Sequence, residues 1–254
     1  MMKHSFAPYR DELFISTKAG HDMWPGPYGT WGSRKSLMAS LDQSLHRMNL
    51  EYVDIFYSHR YDPDTPLEET MQALVDIVRQ GKALYVGISK YPPKEAQNAY
   101  DYLRRHDVPC LLYQGRYNLL DRAVEAQGLL KQAAENGAGF IAFSPLAQGL
   151  LSGRYLEGIP EGSRVARGGF LKPEALTDDV MGKVKALHEV ALRRGQTLAE
   201  MALAWLLKDN LVTSVIVGVS SVEQLNDNLK ALRNTSFSTE ELEEIEKILG
   251  NTPK

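Results

Sequence analysis

Short apolar runs alternate with amphipathic stretches along this chain. Six of the runs have the length of a β-strand and are rich in β-branched or aromatic residues. They are LFIST (13–17), VDIFYS (53–58), ALYVGIS (83–89), CLLYQ (110–114), GFIAFS (139–144) and TSVIVG (213–218). Most are apolar on both faces, as expected for strands that are covered on both sides in a parallel sheet.

Between these runs, apolar residues recur every three or four positions, which predicts helices. One set is Leu37, Leu41 and Leu45, and another is Val180, Val184, Leu187 and Ala191, which ends before Gly195. Capping boxes are predicted at three helix starts: Thr65 with Glu68, Thr197 with Glu200, and Ser238 with Glu241. The regular alternation of strand and helix predicts a parallel α/β fold in one domain over residues 1–254.

Polar residues stand at the carboxyl end of every predicted strand. The ends read Thr17-Lys18, Ser58-His59-Arg60, Ser89-Lys90, Gln114-Gly115-Arg116, Ser144-Pro145 and Gly218-Val219-Ser220. A (β/α)₈ (TIM) barrel builds its active site at this end, whereas no strand is followed by the G-x-G-x-x-G turn of a doubly wound nucleotide-binding sheet. We therefore predict a TIM barrel that lacks its first two βα units, since six strands are two too few to close it.

The composition of the chain argues against nucleic acid and against a membrane as partners. The formal net charge is -3, so there is no basic footprint for nucleic acid. No apolar run reaches about 18 residues, so we predict no membrane span. The single cysteine, Cys110, excludes an internal disulfide and is interpreted as a buried small apolar residue. A cytoplasmic location fits these features.

One connection, residues 147–178, is longer than the others and combines six glycines with Arg154, Arg164 and Arg167. Loops of this length in compact domains are usually functional or disordered. The composition is consistent with a flap over an anion such as a pyrophosphate, and equally with a flexible solvated loop.

In order and spacing, FISTKAG, VDIFYSHR, GKALYVGIS, YNLL, FSPLAQGLLSG and VGVSSVEQLNDN resemble the aldo-keto reductase family. Within the family, the resemblance is to the branch of bacterial glyceraldehyde 3-phosphate reductases and potassium-channel β subunits. It implies reduction of aldehydes or ketones, small and in some cases phosphorylated, by hydride from NADPH and without a metal. It also implies a tyrosine proton donor supported by a lysine, a histidine and an aspartate.

The resemblance assigns Lys18 and His59 to catalysis. An ammonium near a tyrosine lowers the pKa of the phenol, and the histidine orients and polarises the carbonyl oxygen. Trp24 is predicted either to line the substrate mouth or only to pack its own loop. The tyrosine and the aspartate fall in a segment that relatives have before RDELFISTKAG, so we expect an N-terminally truncated member. Tyr28 and Tyr57 do not stand at the family's tyrosine position.

The same resemblance assigns a dinucleotide site. Ser89 and Gln114 would hold the nicotinamide carboxamide. Tyr117 would stack on its ring, or would only pack in the core, as aromatic residues after strands often do. The pyrophosphate and ribose segment comprises Ser144, Pro145, Leu146, Gln148 and Gly149, with Arg154 and Arg164 on the flap. The adenosine end comprises Gly218, Ser220, Gln224, Asp227 and Asn228. Ser221 replaces an arginine common in relatives and Asp227 a glutamate, so NADH is kept as an alternative to NADPH.

Three functional interpretations remain open at this point. The first is a carbonyl reductase that is impaired by its missing segment, acting on a small-molecule substrate and able to form a homo-oligomer. The second is a dinucleotide-binding regulatory module like the channel subunits, against which His59 argues because those subunits tend to lack it. The third is an inactive fragment.

Overall fold

The computed structural model describes residues 5–161 and 171–250. Six strands within these ranges form one sheet, and each strand pair of given register is parallel. The strands are β1 (Ser16–Ala19), β2 (Val53–Ser58), β3 (Ala83–Ser89), β4 (Cys110–Arg116), β5 (Gly139–Phe143) and β6 (Ser214–Val215), and they follow one another in the sheet in chain order. The predicted α/β fold with six parallel strands is confirmed.

Nine α-helices connect the described strands or follow them. They are α1 (Arg34–Met48), α2 (Leu67–Arg79), α3 (Pro93–Arg105), α4 (Ala123–Ala126), α5 (Leu129–Glu135), α6 (Asp178–Arg193), α7 (Leu198–Leu206), α8 (Val222–Leu229) and α9 (Thr239–Leu249). In the described part of the chain, no helix combines the length and the apolar character needed to cross a bilayer.

The chain divides into two compact units, and the prediction of a single domain stays a prediction. The first unit holds Met1–Gly115 and Gln127–Phe140, and the second holds Arg116–Ala126 and Ile141–Lys254. In the first unit, every residue of β2 is buried, as its continuous apolar run predicts. The predicted faces of α1 and α6 also pack inward: Leu37 and Leu41 in α1, and Leu187 in α6, are fully buried.

Four strand predictions differ from the structure in their bounds. β4 extends to Arg116, beyond the run at 110–114, and β5 ends at Phe143, one residue before the end of the run at 139–144. The run at 13–17 predicts a strand that in fact begins at Ser16 and ends at Ala19, so that Lys18 lies inside β1. Upstream of it, the Asp54 carboxylate accepts hydrogen bonds from the backbone N–H of Ile15 and from Arg10. The Ile15 carbonyl still accepts from the backbone N–H groups of Asp54 and Ile55, so the side-chain bond engages only the N–H of Ile15. The run at 213–218 forms only the two-residue strand β6.

Helix capping agrees with prediction at two starts and disagrees at one. Thr197 and Ser238 each form the reciprocal capping box with the glutamate three residues later. The box predicted at Thr65 is wrong, because Pro66 occupies the N-cap of α2 and no side chain caps that end. The Asp62 carboxylate instead interacts with Thr65, which draws this threonine to the preceding turn.

Candidate active site and cofactor cleft

Lys18 lies in β1 with its side chain half-buried. Its Nζ donates a hydrogen bond to Oε1 of Gln114, at 3.0 Å, so two residues predicted for different roles meet in the first unit. Burial lowers the pKa of the Lys18 ammonium, and the positive charge of Lys90 lowers it further. An ammonium with a lowered pKa is suited to stabilising a neighbouring phenolate, because its own charge is poorly compensated.

His59 follows directly after β2, the neighbour of β1 in the sheet. Its backbone N–H donates to the Ala19 carbonyl at 2.8 Å, which fixes it beside the end of β1. The His59 ring meets the His21 ring edge-on, with the ring centroids 4.3 Å apart. Burial lowers the pKa of His59 to about 3, with further lowering by His21, Lys18 and Lys90. At neutral pH His59 is therefore a neutral imidazole, able to donate a hydrogen bond to a carbonyl oxygen.

The loop between β1 and α1 is fixed by Arg60. Its Nε donates to the Gly20 carbonyl at 2.8 Å and its Nη2 to Thr30 Oγ1 at 3.1 Å, while the guanidinium lies 3.6 Å from the centre of the Trp31 ring. Planar stacking on an aromatic face together with directed hydrogen bonds is a property of arginine that lysine lacks. Arg60 thus ties the loop to the strand end that carries His59.

Trp24 lies in this loop, half-buried, and its indole nitrogen donates to the Pro27 carbonyl at 3.2 Å. Gly29 approaches it closely, because a Cβ at Gly29 would collide with the Trp24 carbonyl. These contacts fit the interpretation of Trp24 as a packing residue of its loop. A role at the substrate mouth stays a prediction.

Two residues predicted to hold a carboxamide are neighbours in the sheet. Ser89 and Gln114 are register partners at the ends of β3 and β4, and both are buried. The Ser89 hydroxyl is buried and has no hydrogen-bond partner in the described structure. A buried polar atom without a partner is costly unless a ligand satisfies it, so this atom fits a site for an amide group.

Tyr57 lies beside Lys18 and Gln114 in the first unit. It is the register partner of Lys18, and its hydroxyl interacts with the side chain of Gln114. Burial raises the pKa of Tyr57 well above its ordinary value. A phenol with a raised pKa is a poor proton donor at neutral pH, so Tyr57 is unsuited to the role of catalytic acid.

The second unit contains an open cleft of about 220 Å³ at the ends of β5 and β6. The cleft is lined by most residues predicted for the pyrophosphate segment and by two predicted for the adenosine end. Its lining also includes residues that the sequence patterns had not indicated as cofactor-binding: Ser152, Tyr155, Ile216 and Val217. The predicted members in the lining are Ser144, Pro145, Leu146, Gln148, Gly149, Arg154, Gly218 and Gln224.

The backbone of this cleft is unusual. Ser144, Ala147 and Gln148 all have positive φ angles, of 55°, 46° and 59°, and Gly149 follows at 107°. Left-handed non-glycine residues are strained and cluster where a chain binds a ligand. The turn is held by Ser152, whose hydroxyl donates to the Gly149 carbonyl, and by Asn118, whose Nδ2 donates to the Ser144 carbonyl at 3.0 Å. Arg154 is exposed at the cleft, and Arg164 lies outside the described residues.

The predicted adenosine end extends from the residues before α8 to the last turn of that helix. Ser221 caps the helix by accepting from the Gln224 backbone, while the Gln224 side chain accepts from the backbone N–H and hydroxyl of Ser220. Asp227 accepts from Lys230 at 2.7 Å. The Nδ2 of Asn228 is buried without a hydrogen-bond partner in the described structure. Like the Ser89 hydroxyl, this amide fits a site for a polar ligand atom.

Tyr117 occupies an environment that its predicted stacking role did not suggest. It is 2% exposed, its hydroxyl donates to Glu125 at 2.8 Å, and its ring centroid lies 5.4 Å from that of Trp205. As described, the ring offers almost no open face to a nicotinamide, so stacking on Tyr117 stays a prediction that would need movement of the ring.

Three charged or titratable groups near His59 were not assigned in advance: His21, Arg60 and Lys90. Lys90 Nζ lies 3.4 Å from His21 Nε2, and Lys90 adopts a left-handed backbone with φ of 55°. Arg60 and Lys90 were recognised as polar strand ends, but their spacing did not indicate that they meet around one loop.

Comparison with known proteins gives the family. A family model described as "Aldo/keto reductase family" matches residues 1–250. The chain is 57% identical over 255 residues to "L-glyceraldehyde 3-phosphate reductase" of Escherichia coli K12, with 99% of this chain and 74% of the relative covered. The O157:H7 strain of the same species has a relative of the same description, identity and coverage.

A second group of relatives carries a different description. The chain is 35% identical to "Probable voltage-gated potassium channel subunit beta" of Arabidopsis thaliana, over 96% of this chain and 76% of that protein. A "Putative voltage-gated potassium channel subunit beta" of Schizosaccharomyces pombe is also 35% identical, with 96% of this chain and 73% of that protein covered.

Proposed function

The chain belongs to the aldo/keto reductase family, and we propose that it reduces a small, phosphorylated aldehyde to the corresponding alcohol with NADPH. The class of enzyme, an oxidoreductase that acts on small carbonyl compounds, follows from the family and from the 57% identity to a reductase. The choice of NADPH and of a phosphorylated aldehyde is the proposal. A cytoplasmic location and a homo-oligomer stay predictions.

One observation carries the proposal: half-buried Lys18 and neutral His59 stand at the ends of neighbouring strands. His59 lies two positions beyond Tyr57, the register partner of Lys18. NADPH, when bound, supplies the hydride that is added to the carbonyl carbon, and a proton is added to the oxygen. His59 donates a hydrogen bond to that oxygen and polarises the carbonyl without losing its own proton.

Lys18 serves the proton-transfer step. Its charge would stabilise the phenolate of the proton-donating tyrosine, which the family resemblance places ahead of RDELFISTKAG, and would lower the pKa of that tyrosine toward neutrality. The proton added to the carbonyl oxygen would come from that tyrosine, a role for which Tyr57 is unsuited. Gln114, as acceptor from Lys18 Nζ, holds the ammonium in place. Its buried amide and the hydroxyl of Ser89 would together bind the carboxamide of the cofactor.

The cleft of the second unit has groups suited to holding a pyrophosphate. Exposed Arg154 would pair with pyrophosphate, and the strained turn from Ser144 to Gly149 would present backbone groups to it. Ser221 carries no charge for a 2′-phosphate, and its hydroxyl already caps α8. We therefore expect NADPH to be preferred to NADH only modestly.

A substitution at Gly218 tests the cleft directly. A Cβ at Gly218 would meet no atom within 4 Å, so Gly218→Phe should fold while filling the cleft. Gly182→Phe is the matched control, since Gly182 has equally open surroundings and lies in α6 outside the cleft lining. In a titration followed by nicotinamide fluorescence, wild type and Gly182→Phe should bind NADPH and Gly218→Phe should not. NADPH binding that is equally tight in Gly218→Phe would refute the cleft as the cofactor site.

A further inference from the structure

Four basic side chains act on the candidate catalytic histidine, His59, and form with it a group that we call the cation cluster: Lys18, His21, His59, Arg60 and Lys90. His21 lies at its centre, with its ring 4.3 Å from that of His59 and its Nε2 3.4 Å from Lys90 Nζ. The first unit therefore concentrates three permanent cations and two imidazoles at one site.

This charge exceeds what carbonyl reduction requires. Polarising a carbonyl needs a hydrogen-bond donor, and supporting the tyrosine needs a single ammonium, a role already given to Lys18. The additional cations act against the site itself: the charges of Arg60 and Lys90 lower the pKa of both His21 and His59. Asp22 opposes this field at His21. The mutual repulsion of such like charges is reduced when an anion binds among them.

The cations are also held in position before any ligand arrives. Arg60 is fixed by its bonds to Gly20 and Thr30 and by stacking on Trp31. Lys90 is exposed but starts from a left-handed backbone, an uncommon conformation for a lysine. Strain of this kind at the rim of a site points to a function for the residue.

We propose that His21, Arg60 and Lys90 form a subsite for the phosphate ester of the aldehyde substrate. The inference rests on the proposed reduction at Lys18 and His59, and deepens it by naming the residues that select the substrate. Because the His21 ring contacts both His59 and Lys90, a phosphate bound here lies beside the histidine that polarises the carbonyl. That arrangement fits an aldehyde with only a few carbons between its carbonyl and phosphate groups.

The test uses inorganic phosphate and the full chain without cofactor. Phosphate is titrated while the ring resonances of His21 and His59 are followed by NMR. We expect saturable shifts and a rise in the pKa of His21, because a bound anion stabilises the imidazolium. Lys90→Asn should weaken phosphate binding about tenfold, the size expected for the loss of one charge-assisted hydrogen bond. Asparagine tolerates the left-handed backbone of this position, so this variant should fold.

Two further variants separate a specific role from general loss of charge. Lys90→Arg should restore phosphate binding to within about threefold of wild type, since it keeps the charge and the donors. Lys131→Gln, which removes an exposed lysine paired with Glu135 in α5, should have no effect. Equal phosphate binding in wild type and Lys90→Asn would overturn the proposal.

Three other measurements show whether the bound phosphate belongs to the substrate or to the cofactor, and whether the phosphate subsite or the proposed carbonyl reduction is wrong. If Lys90→Asn weakens NADPH binding as much as phosphate binding, the cluster serves the cofactor and the substrate subsite is wrong. If the enzyme reduces glyceraldehyde and glyceraldehyde 3-phosphate with equal kcat/KM, the subsite is also wrong, although carbonyl reduction stands. If neither aldehyde is reduced while inorganic phosphate binds as described, the proposed function fails and the anion site stands.

Discussion

Two groups of charged side chains, one in each unit, have opposite electrostatics. In the cation cluster of the first unit, burial lowers the pKa of His59 to about 3, and the neighbouring basic groups add to this lowering. In the second unit, Arg122 bonds to the carboxylates of Glu125 and Glu246, a group we call the Arg122 hub. Burial favours the neutral form of Glu125, but hydrogen bonds from Arg122 and Tyr117 outweigh it and lower the Glu125 pKa.

The difference separates structural charges from functional charges. The hub joins α9 to the start of α4 through one cation that bonds to two carboxylates, as expected for an ion-pair network that stabilises a fold. The cation cluster instead leaves like charges together, which costs stability and is typical of sites that bind or transform a ligand. Substitutions in the two groups should therefore differ in which property they change.

The largest expected effect is on turnover at Lys18. Lys18→Met should reduce kcat by roughly 100-fold or more, the size expected for loss of acid–base support, as measured by NADPH oxidation with glyceraldehyde 3-phosphate. NADPH affinity and thermal unfolding should stay near wild type, because the ammonium is destabilised by burial in the free protein. A large loss of NADPH binding in this variant would contradict the role assigned to Lys18.

A smaller effect, on stability alone, is expected at the hub. Arg122→Met leaves two carboxylates without their cation, and the free energy of unfolding should fall by about 2 kcal/mol, less than for a fully buried pair. The matched control is Arg193→Met, which breaks the exposed pair with Glu244 and should cost below about 1 kcal/mol. Urea unfolding of both variants measures the difference, and similar losses would show that the hub is no more stabilising than a surface pair.

At neutral pH the smallest effect is expected at His59, which influences stability only on acidification. Its folded pKa of about 3 lies below the ordinary 6.5. Between these values the unfolded chain binds a proton that the folded chain does not, so its contribution to stability is complete above pH 6.5 and declines as pH falls toward 3. His59→Asn should therefore show a shallower loss of stability on acidification. By NMR, the His59 ring should not titrate between pH 5 and 8, and a midpoint near 6.5 would refute the described environment.

The sequence predicted the fold best where the physics is local. The runs at 53–58 and 83–89 are strands with the predicted bounds, and the capping boxes at Thr197 and Ser238 form as expected. The predictions fail where tertiary contacts compete with local preference. The Asp54 carboxylate bonds to the backbone N–H of Ile15, just before β1 begins. The Thr65 side chain interacts with Asp62 and does not cap α2.

The identity of several candidate site residues could be predicted from the sequence, but the contacts between them could not. Polar strand ends and family motifs indicated Lys18, His59, Ser89 and Gln114, and the structure joins Lys18 to Gln114 across 96 positions of sequence. Contacts such as that of His21 with Lys90 depend on strand register and loop conformation, which no local pattern encodes. The partners of Tyr117 could not be predicted for the same reason, because Glu125 and Trp205 come from separate elements.

Carbonyl reduction with a bound nicotinamide can be measured in one cuvette. NADPH is added to the purified chain first, and glyceraldehyde 3-phosphate second. The account predicts saturable nicotinamide fluorescence on binding, followed by oxidation of NADPH with formation of an equal amount of alcohol. Binding that is never followed by oxidation would contradict it, and would favour a dinucleotide-binding regulatory module in place of a reductase.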